Sequence, residues 1–415
     1  MVHPPTSIDS PRHGSRIAIT GYGSINALGV GVEAFVAALR EGRCGIGELT
    51  LFPSTGFRTA VAAEVREVTA PASLPSELMR GVSRTGLLAL CAADEAWRMA
   101  GLGDGGRVGV VIGTTTGGMS GGEAAYGVQL LEPRRSPTLR RWLETPISAC
   151  ADLLARAIAS DGPRLTVSTA CSSGANALGL AADWLRAGRA RAVLCGGADA
   201  LCRMTYSGFN ALQALDRSPC RPFDRRRAGI TLGEGAAMFV LERWEAAARR
   251  GARILGEFLG YGVSADAHHV TQPRPDGAGA VLAMRRALDA GGVAPEAIDY
   301  VNAHGTGTPQ NDLVETSAIK QVLGLHAYRI PVSSTKSQVG HCLGAGGAIE
   351  ALASLLALHE GFVPPTATLA EPDPECDLDY VPRTSRAASL RTVLSNSYGF
   401  GGNNTSIVLR GVDGV

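Results

Sequence analysis

The chain has 415 residues, of which 45% are hydrophobic and 19% charged, and a formal net charge of +1 at pH 7. That balance excludes global disorder, and it leaves no whole-molecule field for gripping nucleic acid or an anionic membrane. The length allows two cores of ordinary size, fused or packed together.

Residues 1–14 are polar and rich in Pro, Ser and His. With no apolar h-region they predict a frayed tail rather than a signal peptide. The first β-branched run, Arg16–Thr20, predicts a strand, and the Ala-rich stretch Leu87–Met99 a helix. Val108–Ile112 predicts a second strand, entering the turn Gly113-Thr114-Thr115-Thr116-Gly117-Gly118. Pro133–Trp142 carries Arg134, Arg135, Arg140 and Arg141 and reads as a solvated face or as a dock for an acidic partner. Leu165–Ser168 predicts a strand that turns at Thr169-Ala170-Cys171-Ser172-Ser173-Gly174 into a helix over Ala175–Ala187. Strands over Ala192–Cys195 and Ala237–Leu241 close this set.

A second set begins after Ile254–Val263. It holds a helix over Ala278–Ala290, a strand over Asp299–Asn302 entering His304-Gly305-Thr306-Gly307-Thr308, and a strand over Ile330–Ser334. Then come Lys336 and His341, a helix over Ala345–His359, and strands over Val393–Asn396 and Ser406–Leu409. Continuous apolar runs of this length suit strands buried on both faces, and strand–helix alternation predicts crossovers and mostly parallel pairing. Both sets run a strand into a Gly/Thr turn. We therefore expect two related α/β halves, 15–260 and 261–412.

Four segments carry chemistry. Cys171 stands at a helix start, where unpaired N–H groups and the helix dipole favour thiolate over thiol. A buried Cys packing as a small apolar residue would look the same on this segment alone. His304 follows a strand, where α/β folds place ligands, and Thr306 and Thr308 offer hydroxyls to an amide- or phosphate-bearing chain. His341, near Lys336, could donate from Nε2 to a carbonyl oxygen while the ammonium discourages its protonation. Phe400, in Gly399-Phe400-Gly401-Gly402, could swing as a lid while the backbone offers an N–H to an oxyanion, or could simply pack. The other histidines, at 3, 13, 268, 269, 326 and 359, read as surface or structural. The nine Cys are scattered without a CxxC pair, which argues against a disulfide framework and a structural zinc site and fits a reducing cytoplasm. No apolar stretch approaches the roughly 18 residues of a membrane span.

Taken in order, Thr169–Gly174, Arg221-Pro222-Phe223-Asp224, Gly233–Ala237, His304–Thr308, Lys336–Gly346 and Gly399–Gly402 make the chain resemble the elongating β-ketoacyl-acyl carrier protein synthases of the thiolase superfamily. The resemblance runs from about Gly21 to Leu409. It implies a thiolase-like α/β fold, two βαβ-rich halves with stacked mixed sheets in a five-layer αβαβα arrangement. The nucleophile would lie in the first half and the catalytic histidines in the second.

The implied reaction is decarboxylative Claisen condensation of an acyl group on Cys171 with malonyl-acyl carrier protein, giving 3-oxoacyl-acyl carrier protein in fatty-acid, polyketide or polyene synthesis. Cys171, His304 and His341 would be catalytic, with the N–H groups of Cys171 and Phe400 serving an oxyanion. Lys336 and Glu350 match positions that orient the site. Thr306 and Thr308 match contacts to pantetheine, and Phe400, Asp266 and His269 match a gate. No metal and no cofactor of the chain's own are implied, since phosphopantetheine travels on the carrier protein. The partners would be that carrier and a second subunit, identical or related, with no nucleic acid and no membrane. Departures from the pattern at Tyr398, Asn403, Thr116 and Ala228-Gly229-Ile230 bear on the acyl substrate. Alternatives from the same superfamily are a chain-length-factor-like partner subunit, or a thiolase or initiating synthase using coenzyme A thioesters. Docking by charge would fall on Arg134, Arg135, Arg140 and Arg141, or on Arg225 to Arg227.

Overall fold

The computed structural model describes residues 15–131 and 142–412. The expected tail over 1–14, and Arg134, Arg135, Arg140 and Arg141, lie outside the described residues. The first strand set comprises β1 (Ile17–Asn26), β2 (Val108–Gly113), β3 (Arg164–Val167), β4 (Ala192–Asp199) and β5 (Gly235–Arg243). The second comprises β6 (Gly256–Ala265), β7 (Tyr300–Asn302), β8 (Val332–Ser333), β9 (Thr392–Gly399) and β10 (Asn403–Arg410).

The first set pairs in the order β1-β5-β4-β2-β3 and the second in the order β6-β10-β9-β7-β8. In each, the first two pairings are antiparallel and the last two parallel, so one topology occurs twice. The mostly parallel pairing predicted from strand–helix alternation is thus only half realised. The short turn Phe400–Gly402 joins β9 to β10 with no crossover helix, and such a link can only make an antiparallel pair. The leading strands of the two sets pair with each other across Ile17–Ile19 and Gly256–Phe258. Residue 260, where the sequence put the junction, lies inside β6; the connection between the sets runs through the helix Trp244–Arg249.

Six helices complete the layers: α1 (Arg84–Ala100), α2 (Ala149–Ala157), α3 (Ser173–Arg186), α4 (Ala278–Gly291), α5 (Pro309–Leu323) and α6 (Gly346–Glu360). Strand alternation sorts side chains between them. Val108, Val110 and Ile112 face one core with α1 and α2, whereas Val111 faces the central core with α3 and α6. In the second sheet Val393 and Ile407 face that same central core, and Leu394 and Val408 face α4 and α5. The order is therefore helices, sheet, helices, sheet, helices. Every residue of α6 from Gly346 to Leu358 is buried, which is why its sequence is apolar on all sides.

The start of α5 is built for the site. Thr308 caps α5 by accepting the Asn311 N–H at 3.3 Å, and Pro309 fills the first turn, where its missing N–H costs nothing. α5 was not predicted because Asn311, Asp312, Glu315 and Thr316 are polar residues on its buried side, which erases an apolar stripe. Among the described residues no helix is long and apolar enough to cross a membrane.

Candidate active site

Four strand ends converge. Cys171 follows β3 and precedes α3, His304 follows β7, His341 lies between β8 and α6, and Phe400 follows β9. All four line one cavity of about 300 Å³, together with Thr306 and Thr308. Chain connectivity explains the gathering, because the crossovers bring these strand ends to the same edge of their sheets.

Cys171 is only 6% exposed. The preceding Ala170 has φ +52°, a strained conformation for a residue with a Cβ. The Phe400 N–H acts on the Cys171 sulfur in the sense that favours thiolate. Gly399 lets these two backbones approach, since a Cβ there would stand 2.8 Å from Thr169 O and 3.1 Å from the Cys171 nitrogen. The sequence predicted a thiol biased toward thiolate by the helix start. The structure reverses this: burial pushes the Cys171 thiol up to about 11, against the lowering by Lys336 and the Phe400 N–H. Loss of hydration outweighs a helix dipole that acts from two residues away. In the resting site the sulfur carries its proton.

The imidazoles of His304 and His341 stand edge to face, with ring centroids 5.5 Å apart and planes at 86°. Each has its Nδ1 occupied by a donor: Lys336 Nζ at 3.1 Å from His304, and the Leu343 N–H at 3.1 Å from His341. Assigned from those partners, both rings carry their proton on Nε2. Two neutral N–H donors side by side suit an oxygen that gains negative charge. Lys336 Nζ also donates to the His304 carbonyl at 2.6 Å and to Glu350, whose other oxygen accepts from Ser397 at 3.2 Å. Lys336 therefore lies against His304, with Glu350 behind it.

Burial, and then the Lys336 ammonium, hold both histidines well below 6.5. In the unfolded chain each imidazole takes a proton as pH falls through about 6.5, whereas the folded site resists it. Stability from these residues is full above that pH and is lost below it, by up to about 1.4 kcal/mol per pH unit for each histidine. Glu315, raised by burial to about 7, acts with the opposite sign between its unfolded value and 7. The informative quantity is thus the difference between wild type and His304→Gln/His341→Gln in urea unfolding. The wild type should lose stability faster below about pH 6.5; equal slopes would mean that the imidazoles are charged in the fold.

Other expected residues fare differently. Thr306 and Thr308 line the cavity, with their hydroxyls 2.9 Å apart. Asp266 is buried against the Phe400 turn, taking Asn404 Nδ2 at 2.7 Å and giving its N–H to Gly402 O at 2.9 Å. His269 is exposed and outside the cavity lining; its Nδ1 accepts the N–H groups of Thr271 and Gln272, tying the loop to itself. Phe400 stacks on Phe209 with centroids 5.6 Å apart, and Asn403 donates to the Phe400 carbonyl at 2.9 Å. The Tyr398 ring lies 5.6 Å from His304.

Of the arginines at 225–227, Arg225 and Arg226 are exposed and Arg227 is not. Arg227 is buried and pairs with Asp373, and Arg225 and Arg226 both reach Glu371. Missed altogether were Glu315, which accepts the N–H groups of His304 and Gly305 at 2.8 Å each, and Asp312, which accepts that of Thr306 at 3.1 Å. Their i, i+3 spacing just after the Thr-Pro helix start was a usable signal. Among the described residues no cluster of His, Cys, Asp and Glu could hold a metal.

Comparison with known proteins gives a consistent picture. Residues 14–247 match the family description "Beta-ketoacyl synthase, N-terminal domain", and residues 255–370 match "Beta-ketoacyl synthase, C-terminal domain". The 3-oxoacyl-[acyl-carrier-protein] synthase 2 of Synechocystis sp. is 41% identical over 407 residues, covering 95% of this chain and 98% of that protein. The ishigamide ketosynthase/chain length factor is 37% identical with a TM-score of 0.89, over 96% of this chain and 100% of that one. A ketosynthase structure bound to a hexaketide, in complex with its type II PKS acyl-carrier protein, is 33% identical with a TM-score of 0.87, over 96% and 100%.

Proposed function

The chain belongs to the β-ketoacyl synthase family, and on that premise we propose how its residues share a decarboxylative Claisen condensation. The enzyme condenses an acyl group with malonyl-acyl carrier protein to give 3-oxoacyl-acyl carrier protein and CO₂, in fatty-acid or polyketide synthesis. The observation carrying our division of labour is the pair of Nε2–H donors facing the cavity that also holds the sulfur of Cys171.

In the first stage Cys171 attacks the acyl thioester. The N–H groups of Cys171 and Phe400 hold the developing oxyanion, and the leaving pantetheine thiolate recovers the proton that Cys171 gives up. No net proton moves over the whole transfer, although the Cys171 proton must leave before its sulfur attacks. In the second stage the bond between the malonyl carboxylate and its α-carbon breaks. Its electron pair moves into the thioester carbonyl, and His304 and His341 donate to the enolate oxygen. The α-carbon, freed of CO₂, attacks the acyl carbonyl on Cys171, the sulfur leaves, and one proton from solvent restores the thiol.

Lys336 and Glu350 hold His304 in its donor tautomer. Thr306 and Thr308 receive the pantetheine arm, and Phe400 with Asp266 forms the gate; His269 braces that loop from outside. The thioester supplies its own electron sink, so this reading assigns the chain no cofactor and no metal beyond the carrier's phosphopantetheine. A reducing cytoplasm suits it, because a disulfide at Cys171 would remove the nucleophile. On the same reading the chain divides into a nucleophile half and a histidine half.

The second subunit, identical or related, has a place to bind. β8 at one end of the strand order is covered by the Asp379 segment, whereas among the described residues β3 at the other end pairs on one side only, with Leu165 39% exposed. Leu131, Leu143 and Ile147 are exposed as well.

The test is direct. Given malonyl-acyl carrier protein, the dimer should release CO₂, and given acyl carrier protein it should leave the acyl mass on the Cys171 peptide. A dimer that does neither would overturn the assignment.

A further inference from the structure

Asp199 ends β4, the strand that corresponds in the first half to β9 in the second. Where β9 runs into the Phe400 turn, β4 delivers a fully buried carboxylate. Its Oδ1 accepts from the Thr114 hydroxyl at 2.6 Å and from the N–H and hydroxyl of Thr116 at 2.8 Å each. Its Oδ2 accepts the Thr115 N–H at 2.8 Å and the Gly344 N–H at 2.7 Å. All five donors are neutral. A buried anion is costly, and only a group that accepts on both oxygens can satisfy this set.

The two donors on Oδ2 lead to opposite sides of the site. The Thr115 hydroxyl donates to Ala170 O at 3.2 Å, in the strained residue just before Cys171. Gly344 follows Leu343, which has φ +51° and whose N–H fixes His341 Nδ1 as an acceptor. The junction has no slack, because a Cβ on Gly344 would lie 2.7 Å from both Asp199 Oδ2 and the Thr115 nitrogen.

We propose that Asp199 is a positioning residue that holds the Cys171 turn of one half in register with the His341 turn of the other, through the single oxygen shared by Thr115 and Gly344. The role in catalysis rests on the two-stage reading above, whereas the role in setting the His341 tautomer stands without it. Donor placement at this precision matters, since a shift of about 1 Å in a reacting group costs on the order of 10²-fold in rate.

Asp199→Asn keeps the shape but turns one acceptor into a donor that faces donors. We expect it to lower the rate constants of acyl loading and of malonyl decarboxylation by about 10-fold or more each, with the carrier KM little changed. In a His341→Ala background the same change should lower decarboxylation far less, because Asp199 acts through His341. Thr115→Val breaks only the Cys171 arm, so it should slow loading and spare decarboxylation.

A readout independent of turnover is the ¹⁵N spectrum of the ring-labelled full chain, which holds 8 His. His341 should be a single Nε2–H tautomer in wild type and a tautomer mixture in Asp199→Asn. If wild type itself releases no CO₂, the functional reading fails while the spectrum still judges the positioning. Asp199→Asn with both rates within about 2-fold of wild type, or with a lower Tm but an unchanged His341 tautomer, would overturn the proposal. Should Asp199→Asn not fold, unchanged loading in Thr115→Val would overturn it instead.

Discussion

Cys171→Ala is expected to abolish acyl loading and to cut condensation by at least about 10⁴-fold, since removing an attacking nucleophile eliminates the covalent route altogether. The fold should survive: the side chain is small, and the turn around it is held by other groups. Ser173 Oγ donates to Ala170 O at 2.5 Å, and Ser172 Oγ donates to Thr169 O at 2.9 Å. Intact-protein mass spectrometry after incubation with acyl carrier protein would check this. Acyl mass retained on another buried thiol, such as Cys342 beside His341, would sink the assignment of Cys171. Cys171→Gln separates the stages further. Its carboxamide resembles an acyl thioester in shape and polarity, so CO₂ release should continue while no condensed product forms.

The second large effect is expected at the histidines. His304→Ala and His341→Ala should each slow decarboxylation by about 10² to 10³-fold, the cost of one preorganised oxyanion donor. Acyl loading depends on the backbone N–H groups at Cys171 and Phe400 instead, so it should suffer less, particularly in His304→Ala. The buried ammonium is not stranded in that variant, because Lys336 keeps the carbonyl of residue 304 and Glu350 as acceptors. Single-turnover loading and CO₂ release, measured on the same preparations, would test the division. Equal losses in both half-reactions would mean that the two oxyanion sites are not separate.

These expectations draw unequally on sequence and structure. Cys171, His304 and Phe400 were legible because each stands just past a short apolar run and near glycines, a local pattern that marks a strand end wherever the strand goes, and His341 because it sits among glycines just before an apolar helix. Lys336 was legible only as a charge near His341 and Glu350 only through the resemblance, since nothing local says that a lysine five residues before a histidine will also turn toward a different one. Asp199 escaped notice because an isolated acidic residue looks the same in sequence whether it is solvated or buried under neutral donors. The arginines at 225–227 were read correctly in part: Arg225 and Arg226 are exposed, as three adjacent charges suggest, but Arg227 finds Asp373 far along the chain and is buried.

The sequence by itself determined the apolar runs, the two-fold recurrence of strand, turn and helix, and the set of reactive side chains at strand ends, all of which depend on neighbours within a few residues. Tertiary structure decided the antiparallel share of each sheet, the protonation of the site and the contact between its halves. Those outcomes follow from desolvation and from donors supplied by distant segments. Burial carries the Cys171 thiol to about 11 and both imidazoles well below 6.5, against what a helix start or free histidines would suggest. The protonation state of a group belongs to the dielectric and the partners around it, and these exist only once residues a hundred or more positions apart have packed together.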